Sequence, residues 1–209
     1  MPSVTLRSWV RGRSYLAAGE LKRSSILIHL DEPRGEYLSF INLVEAHVLA
    51  AMRRRHGVKL PKVRRALDYV REQLKSPRPL VDEIFQTDGL DLFVERYGDM
   101  INVSRTGQKA MRELITAYLR RIERDSTGMP VKLYPFTRDS KSSLSPKDDP
   151  RVIVMNPTIS FGKPVIVETG IPVSAVYERY IAGDSVAELA DDFHLKMSAI
   201  EEAIRCEAA

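Results

Sequence analysis

The chain holds one cysteine, Cys206, one tryptophan, Trp9, and four histidines among its 209 residues. A single cysteine closes no intrachain disulfide, so the fold does not lean on oxidation and the composition suits a reducing compartment. Cys206 itself reads as a half-buried small hydrophobe. His29, His47, His56 and His194 show no Cys/His ligand spacing, and no His-Glu-x-x-His, phosphate-loop or Gly-x-Ser-x-Gly motif is present. No stretch approaches the ~18 apolar residues of a membrane span, and Met1-Pro2-Ser3-Val4-Thr5-Leu6-Arg7 lacks the apolar core of a signal peptide. These absences predict a cytoplasmic protein that is not an enzyme, with no catalytic residue, metal or cofactor. Asp88, Asp91, Glu95 and Asp99 read as turn and strand-surface carboxylates rather than a nuclease centre, and Gly162-Lys163-Pro164 as a tight turn.

A hydrophobic content of 44% is enough for real cores in one or two domains. The net charge of +4 conceals a gradient: +8 over residues 1–75, zero over 76–149 and −4 over 150–209. Such asymmetry suggests separate partners for the two ends, with a polyanion at the basic one.

Ser39 is placed to cap a helix carrying Phe40, Leu43, Val44, Val48 and Met52 at helical spacing, and Gly57 to end it. Pro61 suits the first turn of a second helix with Val63, Ala66, Leu67, Val70 and Leu74 along one side. Ser25-Ile26-Leu27-Ile28-His29-Leu30 reads as a strand that turns at residues 31–36 into Tyr37-Leu38, a small β-wing. A strand pair is expected over residues 82–86 and 92–103, turned at Thr87-Asp88-Gly89, followed by a helix over 107–124. The Ser-rich stretch 138–150 reads as an exposed linker. Beyond it, apolar runs at 152–155 and 162–167 precede a helix opening at Ser174, and Ser185-Val186-Ala187-Glu188 and Ser198-Ala199-Ile200-Glu201 are both capping-box patterns. The expected fold class is mainly α with small β elements (α+β). It comprises a winged helix-turn-helix domain (1–75), a central strand pair and helix (76–137), the linker, and a small helical, helix-turn-helix-like domain (151–209).

Two basic features stand out. Arg53-Arg54-Arg55-His56-Gly57-Val58-Lys59-Leu60-Pro61-Lys62-Val63-Arg64-Arg65 sets seven fixed cations in thirteen residues, either for phosphate contact or as a solvated helix junction. In the run from Ser3 to Arg13, Leu6, Trp9 and Val10 face inward on a helix, leaving Thr5, Arg7, Ser8, Arg11 and Arg13 to meet DNA, or simply to solvate an N-terminal helix. At the other end, Phe161, Lys163, Val165, Ile171 and Val173 make an apolar turn that either packs inside its own domain or anchors a partner. Glu178, Asp191 and Asp192 would supply acidic contacts to a basic partner.

Val4-Thr5-Leu6-Arg7-Ser8-Trp9, then Leu38-Ser39-Phe40-Ile41-Asn42-Leu43 and Gly57-Val58-Lys59-Leu60-Pro61-Lys62-Val63-Arg64, resembles a MerR-type winged helix entered partway through, without the helix that normally precedes the recognition helix. The string from Ile159 to Val173 containing Gly162-Lys163-Pro164-Val165-Ile166, followed by residues 182–190, resembles a domain of VapB-type antitoxins. Glu168-Thr169-Gly170-Ile171 stands where that family often has Gly-Thr-Arg-Ile, so a role of that arginine has no counterpart here. The resemblance implies a homodimer or toxin–antitoxin hetero-oligomer that neutralises a PIN-like ribonuclease toxin and represses its own operon by binding operator DNA. The alternative is a stand-alone winged-helix regulator with a C-terminal protein- or effector-binding domain.

Overall fold

A computed structural model describes residues 3–31, 37–53, 60–137 and 150–208. They fall into two units, Met1–Leu119 and Arg120–Ala209, each with its own core. Eight helices and two small antiparallel sheets among the described residues make the protein mainly helical, of the α+β class. No described helix is long and apolar enough to cross a membrane.

The first unit opens with α1, Ser3–Arg11, anchored by Trp9, which is 1% exposed. The Trp9 carbonyl, left without a partner by the helix end, accepts the Leu27 and Ile28 N–H groups at 2.8 and 3.2 Å. Leu27 and Ile28 are therefore core residues rather than a wing strand. The hairpin instead comes earlier, β1 Ser14–Ala17 against β2 Glu20–Arg23. Ala18 and Gly19, both at positive φ (54° and 80°), give the two-residue turn whose twist matches a hairpin. The expectation missed it because the apolar run 25–30 looked the better strand, whereas only Leu27 and Ile28 of that run are buried, held by the carbonyl near the end of α1.

α2, Phe40–Arg53, begins as expected: the Ser39 hydroxyl accepts the Asn42 N–H at 3.1 Å. Val44, Val48, Leu49 and Met52 are buried along it, and Val63, Ala66, Leu67 and Val70 along α3, Leu60–Leu74. Each such valine, leucine or methionine contributes about 1.5–3 kcal/mol when fully buried. The Asn42 amide donates to the His29 carbonyl at 2.8 Å and to Glu45 at 3.1 Å, tying the preceding segment to α2. Burial pushes the Glu45 carboxyl above its usual range.

The expected strand pair at 82–103 is not there. A 3₁₀ turn over Glu83–Gln86 leads into α4, Asp88–Ile101. Leu90, Phe93, Val94 and Tyr97 are buried at helical spacing. Gly89, which reads as a hairpin turn, lies inside the helix because a Cβ there would sit 2.8 Å from the Phe85 ring and 3.0 Å from Leu74. α5, Arg105–Leu119, packs on α2 and α4, with a His47 ring nitrogen 3.1 Å from the Tyr118 carbonyl. The helix expected to continue to residue 124 stops at Leu119, since Ile122–Arg124 pairs as a strand.

The second unit is a four-stranded antiparallel sheet, β3 (Ile122–Arg124), β4 (Pro130–Leu133), β5 (Ile153–Met155) and β6 (Pro164–Ile166), in that order. Over it lie α6 (Val173–Ala182), α7 (Val186–Asp192) and α8 (Met197–Ala208). Ile153, Ile166, Val173, Val176, Leu189, Ile200 and Ala203 form the core. Ser185 and Glu188 complete a capping box on α7. The second expected box does not form: α8 starts at Met197, placing Ser198 inside the helix, after a turn made by left-handed His194 (φ 53°).

The sheet joins strands from both sides of the stretch 138–150, with Leu133 opposite Met155. Arg121, 4% exposed, holds the two sides together. Its guanidinium donates to the Tyr134, Pro135 and Pro150 carbonyls at 2.8, 2.9 and 3.0 Å and lies over the Phe136 ring. The boundaries expected at 137 and 151 thus fall within one unit, and the division comes at Leu119/Arg120. Strands on both sides of the stretch belong to this sheet, and residues 138–149 themselves lie outside those described.

Candidate nucleic-acid interface and partner-binding turn

On the inner side of α1 Trp9 is buried and Leu6 and Val10 are half-buried. Val4, Arg7 and Arg11, at positions i, i+3 and i+7, are exposed and form an outer stripe. Thr5 and Ser8 are half-buried, and the Ser8 hydroxyl is spent on the Thr5 carbonyl at 2.7 Å. Arg13 is exposed just beyond the helix, and Arg23 from the hairpin donates to the Arg11 carbonyl at 2.8 Å. Of the N-terminal set, Arg7, Arg11 and Arg13 are exposed.

The basic cluster divides. Arg54, Arg55 and Lys59 lie outside the described residues, and Arg53 is placed only as the last residue of α2. The Lys62 ammonium donates to the Met100 carbonyl at 2.5 Å, closing the last turn of α4. Arg64 donates to the Ser25 carbonyl at 2.6 Å, holding the segment that continues into the Trp9 contact. These two cations serve the fold, whereas Arg65 is exposed. Arg64→Ala is therefore expected to lower stability by about 0.5–1.5 kcal/mol. Arg65→Ala, at an exposed position, should leave stability nearly unchanged, as denaturant titration of both variants would read out.

A groove of about 460 Å³ between α4 and α5 sets Arg105, Lys109 and Arg112 against Asp91 and Glu95. Arg112 pairs with Asp91. Among the described residues no three His, Cys, Asp or Glu side chains gather to hold a metal ion.

In the second unit the residues expected at a partner surface separate by burial. Val165 and Val173 are each 1% exposed and belong to the core, and Ile171 is half-buried against it. Of the two readings open to this turn, those three take the inward one. Phe161 does not: it is 99% exposed, at the centre of Ser160, Phe161 and Gly162, which all stand at positive φ (47°, 55° and 78°). A non-glycine residue in that region costs about 1–2 kcal/mol. The turn holds two such residues in succession while presenting an aromatic ring to solvent. Lys163 beside it is exposed. Glu178 and Asp191 are exposed, while Asp192 accepts from Arg179 at 2.7 Å. Arg179 also reaches Asp184 at 2.6 Å and lies over Phe193, so Asp192 serves the α6–α7 junction. Burial pushes the Cys206 thiol up to about 11, leaving it protonated and inert at neutral pH. Sequence reading passed over Arg121 and the hairpin at 14–23. Arg121 carries no local signal, whereas Ala18-Gly19 between short polar-apolar runs is the turn signature of the hairpin.

Comparison with known proteins adds three findings. Residues 153–205, which span β5 to α8, match the family described as "Protein of unknown function (DUF433)". The crystal structure of Rv2018 from Mycobacterium tuberculosis shares the fold, with a TM-score of 0.63 and 20% identity over 98% of this chain and 91% of that one. The Mycobacterium tuberculosis protein named "Putative antitoxin VapB45" is 27% identical over 100% of this chain and 89% of its own length. The chain is thus a distant, full-length homologue of a protein named as a VapB antitoxin, with a DUF433 region in its second unit.

Proposed function

We propose that the chain is the antitoxin of a type II toxin–antitoxin pair, which binds operator DNA with its first unit and a PIN-like ribonuclease toxin with its second. The observation that carries this reading is the full-length similarity to a protein named as an antitoxin, which spans both units rather than one. Two features support the division of labour. Arg7, Arg11 and Arg13 give the first unit an exposed cationic stripe suited to phosphates and guanine edges. Phe161 gives the second unit an aromatic anchor on a net-negative stretch of chain, the charge that would meet a ribonuclease's basic groove.

The test is co-expression with the neighbouring reading frame: restored growth and co-purification support the reading, and a neighbour that is neither toxic nor bound overturns it. For the DNA half, Arg7→Ala is expected to relax sequence preference, costing about 1–3 kcal/mol on the specific site if it reads a guanine. Equal loss on specific and random duplexes would assign Arg7 to phosphate instead.

A further inference from the structure

The hairpin β1–β2 stands apart from the packing of its unit. Leu16 and Leu21, directly opposite each other, are 76% and 75% exposed, and every residue of β2 is exposed. Neither outer edge is paired among the described residues. An isolated two-stranded hairpin is marginal in water, and three or more strands are the usual remedy. An edge of this kind invites another strand.

Backbone geometry restricts what that strand can be. In a hairpin closed by a two-residue turn, Ala17 and Glu20 bond to each other, as do Tyr15 and Lys22. The N–H and C=O groups of Leu21 and Arg23 then point outward from β2. If the added strand is β2 of a second copy, the two are antiparallel about a two-fold axis normal to the sheet, and only registers that pair residues of the same face are allowed. A register centred on Lys22 sets lysine against lysine, and one centred on Glu20 sets glutamate against glutamate. The register centred on Leu21 sets Glu20 opposite the other copy's Lys22, twice. On the reverse face it also aligns Leu16 and Leu21 of both copies in one apolar row. The edge is self-complementary in charge, in apolar surface and in hydrogen bonding at the same register.

We propose that β2 is a homodimer interface, pairing with β2 of a second copy at Leu21 to make a four-stranded antiparallel sheet. The full chain should then show a concentration-dependent monomer–dimer equilibrium by sedimentation. Glu20→Lys or Lys22→Glu alone places like charges opposite each other at two points and should weaken the dimer by about tenfold. The double variant should regain the original affinity. The decisive arm mixes the two single variants. A Glu20→Lys chain and a Lys22→Glu chain are complementary only to each other, so the mixture should form heterodimers that neither forms alone. Because these side chains are exposed, melting of the monomer should stay unchanged, which separates lost association from lost folding. A chain that stays monomeric, a dimer indifferent to the single swaps, or a mixture that behaves as the sum of its parts would each overturn the proposal.

Discussion

Residues 150–209 produced alone are expected to stay unfolded, while residues 120–209 fold cooperatively. The shorter piece contains the matched region 153–205 but lacks β3 and β4, which supply Ile122 and Leu133 at 7% and 2% exposure and the strand that pairs with β5. It also lacks Thr137, whose hydroxyl donates to the Glu202 carboxylate in α8. Glu202 is 2% exposed, and a buried carboxylate that loses a donor costs about 1–3 kcal/mol or more. Within the intact unit, Arg121→Met keeps the length of the side chain but leaves three inward carbonyls without their donor. The expected loss is about 3 kcal/mol or more, a large share of the 5–15 kcal/mol typical of a domain. Urea unfolding followed by circular dichroism would read both effects. A native-like transition from 150–209, or an Arg121→Met chain as stable as the parent, would show that the sheet is dispensable.

Substitution of Phe161 should weaken binding of the proposed partner without loss of stability. Because the ring is 99% exposed, Phe161→Ala removes no packing and should leave the melting temperature nearly unchanged. Phe161→Gly should raise stability by up to about 1.5 kcal/mol, the balance of a left-handed penalty of about 1–2 and a glycine entropy cost of about 0.5–1. On the function proposed above, both variants should weaken the toxin complex by at least about thirtyfold, the loss of about 2 kcal/mol that marks an anchoring aromatic. Val165→Asp, by contrast, should unfold the unit and abolish binding for that reason alone. Full affinity in the Phe161 variants would remove the turn from the interface.

Helical periodicity in the sequence marked α2 and α3 because their apolar stripes are regular and Ser39 caps the first of them. It failed at 82–103, where Thr87-Asp88-Gly89 has the composition of a hairpin turn. Only the close approach of Phe85 and Leu74 explains a glycine inside that helix, and this contact is invisible in one dimension. Cation density along the chain did not separate Lys62 and Arg64, which close carbonyls of other segments, from Arg65, which does not. The apolar turn at 159–173 was legible as a cluster. Its sorting into buried (Val165, Val173) and exposed (Phe161) residues depended on backbone φ and on which way β6 faces. The Ser-rich stretch was legible as polar, but composition does not say whether such a stretch divides two domains or interrupts one.

That last distinction bears on where foreign sequence could be spliced in. The ends of the 138–149 stretch are brought together by Leu133 opposite Met155 and by the Arg121 guanidinium, so closing the loop is already settled by the sheet. Polymer statistics then make added length cheap, at about 0.6 kcal/mol for each doubling. An epitope tag or fluorophore peptide grafted there should be carried without loss of either unit. The tight turn at Asp125, whose carboxylate accepts from Thr127 and Met129, leaves no such latitude.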